Sequence, residues 1–176
     1  MKQVMKYTII STVTENNKEA DAVISELSAL ETETDIIYTD NMSICGCAGC
    51  YDCWLKTPGI CSIKDDHEQI FVKLLQSDRV IFIAEVKLGF VSYKMKNLLD
   101  RMLPILTIYL KFKNGQMRHY TRYKNRTDLG LLYIGNADAE YLAGWMERVA
   151  INFDSRSLGV YEIGNRKEFY HALGDH

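Results

Sequence analysis

The chain has 176 residues, 47% of them hydrophobic and 25% charged, with a formal net charge of −2. That is enough chain for a real core, and a single domain over residues 1–176 is expected. The balanced charge argues against a global pull toward nucleic acid or anionic membrane, and no apolar run approaches the ~20 residues a membrane-crossing helix needs.

Lys2 and Lys6 interrupt the stretch from Met1 to Ile10, so no secretory signal is read and a cytoplasmic location is expected. Tyr7-Thr8-Ile9-Ile10-Ser11 is a short β-branched run without polar alternation, the mark of a strand buried on both faces. Asn16 to Leu30 is expected as the first helix, with Val23, Leu27 and Leu30 on one side. Asp35 to Tyr38 is the second strand, and a cysteine-bearing loop follows from Ser43 to Ser62. Asp65 or Asp66 is placed to cap the next helix, whose stripe is Ile70, Phe71, Leu74 and Leu75.

Arg79 to Ala84 is the clearest buried strand. Ser92 opens a helix with Met95, Leu98, Leu99 and Met102 inward. Thr107 to Asn125 is polar, aromatic and irregular, with a hairpin expected around Asn114-Gly115. Leu129 to Gly135 is the fourth core strand, Tyr141 to Phe153 a helix, Ser157 to Ile163 the last strand, and a helical tail runs from Lys167. Strands alternating with helices imply an α/β fold, a doubly wound, flavodoxin-like five-stranded parallel sheet in three α/β/α layers, order 2-1-3-4-5. Ligands of such sheets sit at the carboxyl ends of the strands, which draws attention to Ser11–Asn17, Glu85–Val91 and Gly135–Asp138. The cysteine loop leaves strand 2 on the same edge.

All five cysteines fall between Cys45 and Cys61, and four of them read C-x2-C-x2-C-x7-C: Cys47, Cys50, Cys53 and Cys61. Two-residue spacers let thiolates turn toward one centre, which suits a metal or an iron–sulfur cluster. A disulfide framework and a set of unliganded thiols are the alternatives, the former requiring an oxidising compartment. His67, just beyond the loop, reads as a solvated helix residue or as a group beside the thiols. A zinc site with His67 is disfavoured because no wide gap separates two ligand pairs.

From Met5 to about Gly135, and most specifically from Cys47 to Arg101, the chain resembles the NADPH-dependent FMN reductase family, especially its iron–sulfur flavoprotein branch. The matching features are the cysteine loop, the Lys64-Asp65-Asp66 segment, the strand Val80–Ala84 and the ending Lys96-Asn97-Leu98-Leu99-Asp100-Arg101. The resemblance implies an oxidoreductase binding FMN and moving electrons between NAD(P)H, or a ferredoxin-like donor, and a small-molecule acceptor or electron carrier. It implies a [4Fe–4S] centre on Cys47, Cys50, Cys53 and Cys61, with Cys45 left over as an ordinary buried thiol. It also implies a homodimer, to which the aromatic segment Thr107–Asn125 would contribute. The FMN contacts carried over by position are Ser11, Thr12, Thr14 and Asn17 around the phosphate, Glu85, Val86, Lys87 and Gly89 along the ring, and Gly135 and Asn136 in the third loop. No side chain is assigned as a catalytic acid.

The chain departs from the family at two of these loops. Where the family has Ser-Pro-Arg followed by Gly-Asn-Thr, this chain has Ser11-Thr12-Val13-Thr14-Glu15-Asn16-Asn17-Lys18, so Val13 replaces the arginine and Lys18 the hydroxyl. Where the family has Pro-x-Tyr, it has Glu85-Val86-Lys87. A carboxylate beside a reduced flavin disfavours its negative charge, by roughly 1–4 kcal/mol for a unit pair near the surface. These departures favour an alternative from another class: a non-enzymatic flavodoxin-like protein without FMN, keeping its thiols for structure, metal binding or redox sensing. Arg118 to Lys124 mixes basic and aromatic residues and reads as a hairpin or dimer contact, with nucleotide phosphates as the other use.

Overall fold

The unbroken apolar runs pair as parallel strands because only a sheet covered on both faces buries every side chain of such a run. The computed structural model describes residues 5–29 and 33–174. In chain order its elements are β1 (Lys6–Ser11), α1 (Lys18–Ser28), β2 (Glu33–Tyr38), the single turn α2 (Asp52–Leu55), α3 (His67–Gln76), β3 (Arg79–Lys87) and β4 (Phe90–Val91). There follow α4 (Tyr93–Asp100), β5 (Leu106–Lys113), β6 (Gln116–Thr121), β7 (Asp128–Ile134), α5 (Ala139–Asn152), β8 (Ser157–Glu162) and α6 (Arg166–Gly174). Among the described residues no helix is long and apolar enough to cross a membrane.

The parallel strands run in the order β2-β1-β3-β7-β8, which is the expected 2-1-3-4-5 sheet. Successive residues of β3 face opposite ways. Val80, Phe82 and Ala84 join one core with α3, α4 and α5, while Ile81 and Ile83 join another with α1 and α6. Gly130 on β7 is obligatory for that second core, since a Cβ there would stand 2.8 Å from the Phe169 ring of α6. Gly130→Ala should therefore cost ~1–3 kcal/mol by overpacking in urea denaturation; a loss below a few tenths would mean that Phe169 yields freely.

Several local expectations need correction. The first helix starts at Lys18, because Asn17 is its cap, Oδ1 accepting from the Glu19 and Ala20 amides at 3.1 Å each; Leu30 lies outside the described residues. The segment expected to be irregular from Thr107 is a two-stranded antiparallel arm, turning at Asn114-Gly115 where both φ angles are positive. β3 does not stop at Ala84. It runs to Lys87 and doubles back through Leu88-Gly89 into β4, pairing Lys87 with Phe90 and Val86 with Val91. The open loop expected at Glu85–Val91 is thus a hairpin, with Leu88 held at φ 53° and wholly exposed.

Candidate functional site

The carboxyl edge of the sheet gathers the loops after β1, β2, β3 and β7. Gly89 bridges to Ala137, joining the β3 tip to the loop before α5. Gly135 lies against the same tip, where a Cβ would stand 3.2 Å from the Val86 carbonyl oxygen. Asp40, just past β2, accepts from the Glu15 amide at 3.4 Å and from Lys94 Nζ at 2.6 Å, which ties the β1 loop to α4. Lys94, and then the Glu15 amide, hold the Asp40 carboxyl below its ordinary pKa.

The phosphate loop expected after β1 is largely turned inward. Ser11 is buried, and its carbonyl oxygen accepts from the amide and the hydroxyl of Thr39. The Thr12 hydroxyl donates to the Ile83 carbonyl at 3.3 Å, and Val13 is fully buried. Asn17 is committed to its cap, while Thr14 and Lys18 are exposed. Glu15 accepts from Asn41 Nδ2 at 2.7 Å. An incoming phosphate would therefore meet the Thr14 hydroxyl and the Lys18 ammonium beside two carboxylates, Glu15 and Asp40. The ring side is more permissive. Gly89 has open space where a Cβ would go, Asn136 is exposed, and the buried Ser92 hydroxyl beside the β3 tip has no partner. Glu85 and Lys87 pair with each other at 3.2 Å, so together they add no net charge to the slot.

The cysteine loop lies against α4. Gly46 fits over Asn97, and Cys47 opens on an apolar hollow of about 410 Å³ lined by Leu99, Leu103, Trp145 and Phe153. Cys53, on α2, is buried; burial first, then the thiols of Cys61, Cys47 and Cys50, push its pKa up. Each of those three thiols therefore lies near enough to Cys53 to act on it electrostatically. The exposed Cys50 shares a hydrogen bond with the Ser62 hydroxyl at 3.4 Å, which with the Asp52 amide lowers its pKa. Among the described residues, no three His, Cys, Asp or Glu side chains are arranged to hold a metal ion. A single zinc needs sulfurs about 3.8 Å apart, from four bonds of 2.3 Å, whereas charges act over longer distances. Thiols are soft donors, and four of them make a set whose chemistry suits an iron–sulfur centre or zinc. Cys45, expected to be buried, is exposed.

What the sequence did not reveal is the scaffold behind the thiols. Asp65 and Asp66, one or other of which was expected to cap the helix, also pin the loop: Asp66 Oδ2 accepts from the Ser43 amide at 2.8 Å and Asp65 Oδ2 from the Cys45 amide at 2.9 Å. Asp65 Oδ1 also accepts from the His67 amide. Arg101, at the end of α4, pairs with Asp65 and donates to the Ile63 carbonyl at 3.1 Å and to Cys61 Sγ at 3.5 Å. Burial opposes ionisation of Asp65, yet Arg101 and the two amides outweigh it and hold its pKa low.

His67 is buried rather than solvated, and its Nε2–H donates to the Leu98 carbonyl at 3.0 Å. Burial, aided by the Arg101 charge and opposed by the Leu98 carbonyl and Asp65, lowers its pKa. Below about pH 6.5 the unfolded chain binds a proton that the folded chain resists. Stability from this group is therefore complete above that pH and falls as pH drops, by up to ~1.4 kcal/mol per pH unit. His67→Gln should flatten the pH 5–6.5 slope in denaturant titrations; an unchanged slope would mean that the imidazole protonates freely in place.

Arg122, in the segment read as a hairpin or dimer contact with nucleotide phosphates as the other use, donates to the carbonyls of Pro104 and Leu106. The arm carrying it docks on the cysteine loop through Trp54 and His119, whose rings lie 4.7 Å apart.

No protein-family model matches the chain. It is 30% identical over 146 residues to an iron–sulfur flavoprotein of Archaeoglobus fulgidus, and 29% identical over 149 residues to a second one from that organism. The matches cover 82% and 84% of this chain, but only 60% and 59% of those relatives. A solved NADH:FMN oxidoreductase in its apo form superposes with a TM-score of 0.58 at 12% identity, over 98% of this chain and 88% of that one.

Proposed function

We propose, for a chain that is a relative of the iron–sulfur flavoproteins and shares the flavodoxin-like fold of FMN reductases, a flavin-dependent oxidoreductase with a thiol-held electron-transfer centre. FMN is the flavin, NAD(P)H or a ferredoxin-like carrier the donor, and a small molecule the acceptor, in the cytoplasm, where the thiols stay reduced or liganded. What carries this reading is one juxtaposition: the Cys47, Cys50, Cys53 and Cys61 loop stands on the same sheet edge as the three strand-tip loops.

A bound flavin supplies the hydride and one-electron chemistry, and the protein's part is orientation and electrostatics. Gly89 and Gly135 let backbone approach a planar ring. The exposed Thr14 hydroxyl and Lys18 ammonium are the side chains that would meet the phosphate. The four cysteines would hold a [4Fe–4S] centre, which stores one electron at a time. The β5–β6 arm, with Tyr109, Phe112 and Met117 exposed, supplies the homodimer contact; sedimentation as a monomer at micromolar concentration would remove that part.

Glu15 and Asp40 at the phosphate loop favour the second reading, a flavodoxin-like protein without FMN. Anaerobic purification followed by flavin absorbance, iron and sulfide analysis separates the two. Flavin and iron together support the oxidoreductase, while colourless protein that quenches neither added FMN nor riboflavin supports the alternative. Asp40→Asn removes one of two carboxylates facing the phosphate and releases Lys94. It should tighten FMN by about fivefold or more, about 1 kcal/mol for a unit charge near 4 Å in water, and leave riboflavin unchanged. An unaltered FMN-to-riboflavin ratio would mean that the phosphate never enters this loop.

A further inference from the structure

We propose that Arg101 is the positioning residue of the thiol centre: it fixes the Cys61 sulfur and raises the reduction potential of the cluster held there. This rests on the reading of Cys47, Cys50, Cys53 and Cys61 as cluster ligands, and goes beyond it by assigning a residue outside the cysteine motif.

The guanidinium reaches both ends of the loop at once. Nη1 donates to the Cys45 carbonyl at 3.3 Å and pairs with Asp65, whose Oδ2 accepts from the Cys45 amide. The ion pair therefore grips both backbone groups of Cys45. Nη2 donates to the Ile63 carbonyl and to Cys61 Sγ, which sets the far end. Nε is buried without a partner. The side chain is 1% exposed and that of Asp65 7%, so neither is a solvated surface charge. A planar fork makes these contacts together, and a lysine ammonium of shorter reach does not.

The consequence for a bound cluster follows from charge. Each electron taken up adds negative charge to the iron and its sulfurs. Asp65 offsets the net charge of Arg101, but Nη2 still donates to Cys61 Sγ, and a hydrogen bond given to a ligand sulfur favours the reduced form and raises the potential. The rigid anchors at Cys45 and Ile63 keep that donor in register whichever charge the centre carries.

The test compares wild type with Arg101→Lys and with the paired Arg101→Gln/Asp65→Asn, in which no buried charge is stranded. Arg156→Gln, at the opposite end of the strands, is the control. Fold is checked by far-UV circular dichroism, loading by iron and sulfide content, and the potential by anaerobic redox titration. The expected result is wild-type iron content in at least one Arg101 variant, with the reduced-to-oxidised ratio at fixed poise lowered about tenfold, 59 mV for a one-electron couple. The Arg156 variant should not move. An unchanged potential at full iron content overturns the proposal. So does loss of iron from both variants while they remain folded, since Arg101 would then be only a strut. Failure of both variants to fold would overturn it in the same way. If the wild type takes up no iron under reconstitution, the cluster reading itself fails, a result distinct from all of these.

Discussion

Arg101→Leu is expected to destabilise the protein by ~3–5 kcal/mol at neutral pH, the range for removing one partner of a buried ion pair. The cost comes less from the lost attraction than from Asp65, which is left ionised in a site where its side chain is 7% exposed. Two amides, of Cys45 and His67, still point at that carboxylate but cannot replace a full charge. The pH dependence gives the cause away. In the wild type the folded Asp65 pKa is depressed, so its stabilisation is complete above about pH 4, the unfolded value, and is lost as pH falls through the folded one. In the variant, protonating Asp65 relieves the stranded charge, so the gap between the two proteins should narrow as the solution is acidified. Urea titrations at several pH values provide the measurement. A penalty under 1 kcal/mol, or one that does not change with pH, would show that the pair is not desolvated as its burial indicates.

Cys53→Ala and Cys45→Ala should part company completely in anaerobic iron reconstitution. Cys53 is the buried member of the four, within electrostatic reach of Cys61, Cys47 and Cys50. On the proposed reading its removal takes away one of four ligands, and iron per chain should drop to under about a tenth of wild type, since a cluster of this kind is held by four thiolates. Cys45 is exposed and contributes to the loop through its backbone amide and carbonyl, both held by the Asp65–Arg101 pair. Cys45→Ala keeps those backbone groups, so iron content should stay at wild type and stability within about 0.5 kcal/mol, as for most surface changes. Full iron in the Cys53 variant, or its loss in the Cys45 variant, would require a different ligand set.

The same contrast marks where local pattern informs and where it misleads. Val80 to Ala84 and Leu129 to Ile134 were legible as core strands because a run with no polar alternation has one stable place, between two helical layers. Asn114-Gly115 was legible as a turn because both residues accept positive φ, which its two angles bear out. The hairpin at Leu88-Gly89 was not legible, since a leucine gives no turn signal; the pairing of Lys87 with Phe90 imposes that conformation. Asp65 was legible as a helix cap, and its Oδ1 does accept from the His67 amide that opens α3, but the loop amides and the distant guanidinium that share these two carboxylates were not legible. His67 looked solvated because a helix start is usually wet, and only the packing of α3 against the end of α4 buries it.

By itself, the amino-acid order determined the strand sequence of the sheet and the spacing of the thiols, because hydrophobic period and short spacers act between near neighbours. Which cation answers those thiols, and which carboxylates crowd the loop after β1, was decided only when β2, β3 and α4 came together. Those partners lie tens of residues apart in the chain. Nothing in local propensity links Arg101 to Cys61 or Asp40 to Lys94, so these juxtapositions exist only in the folded state.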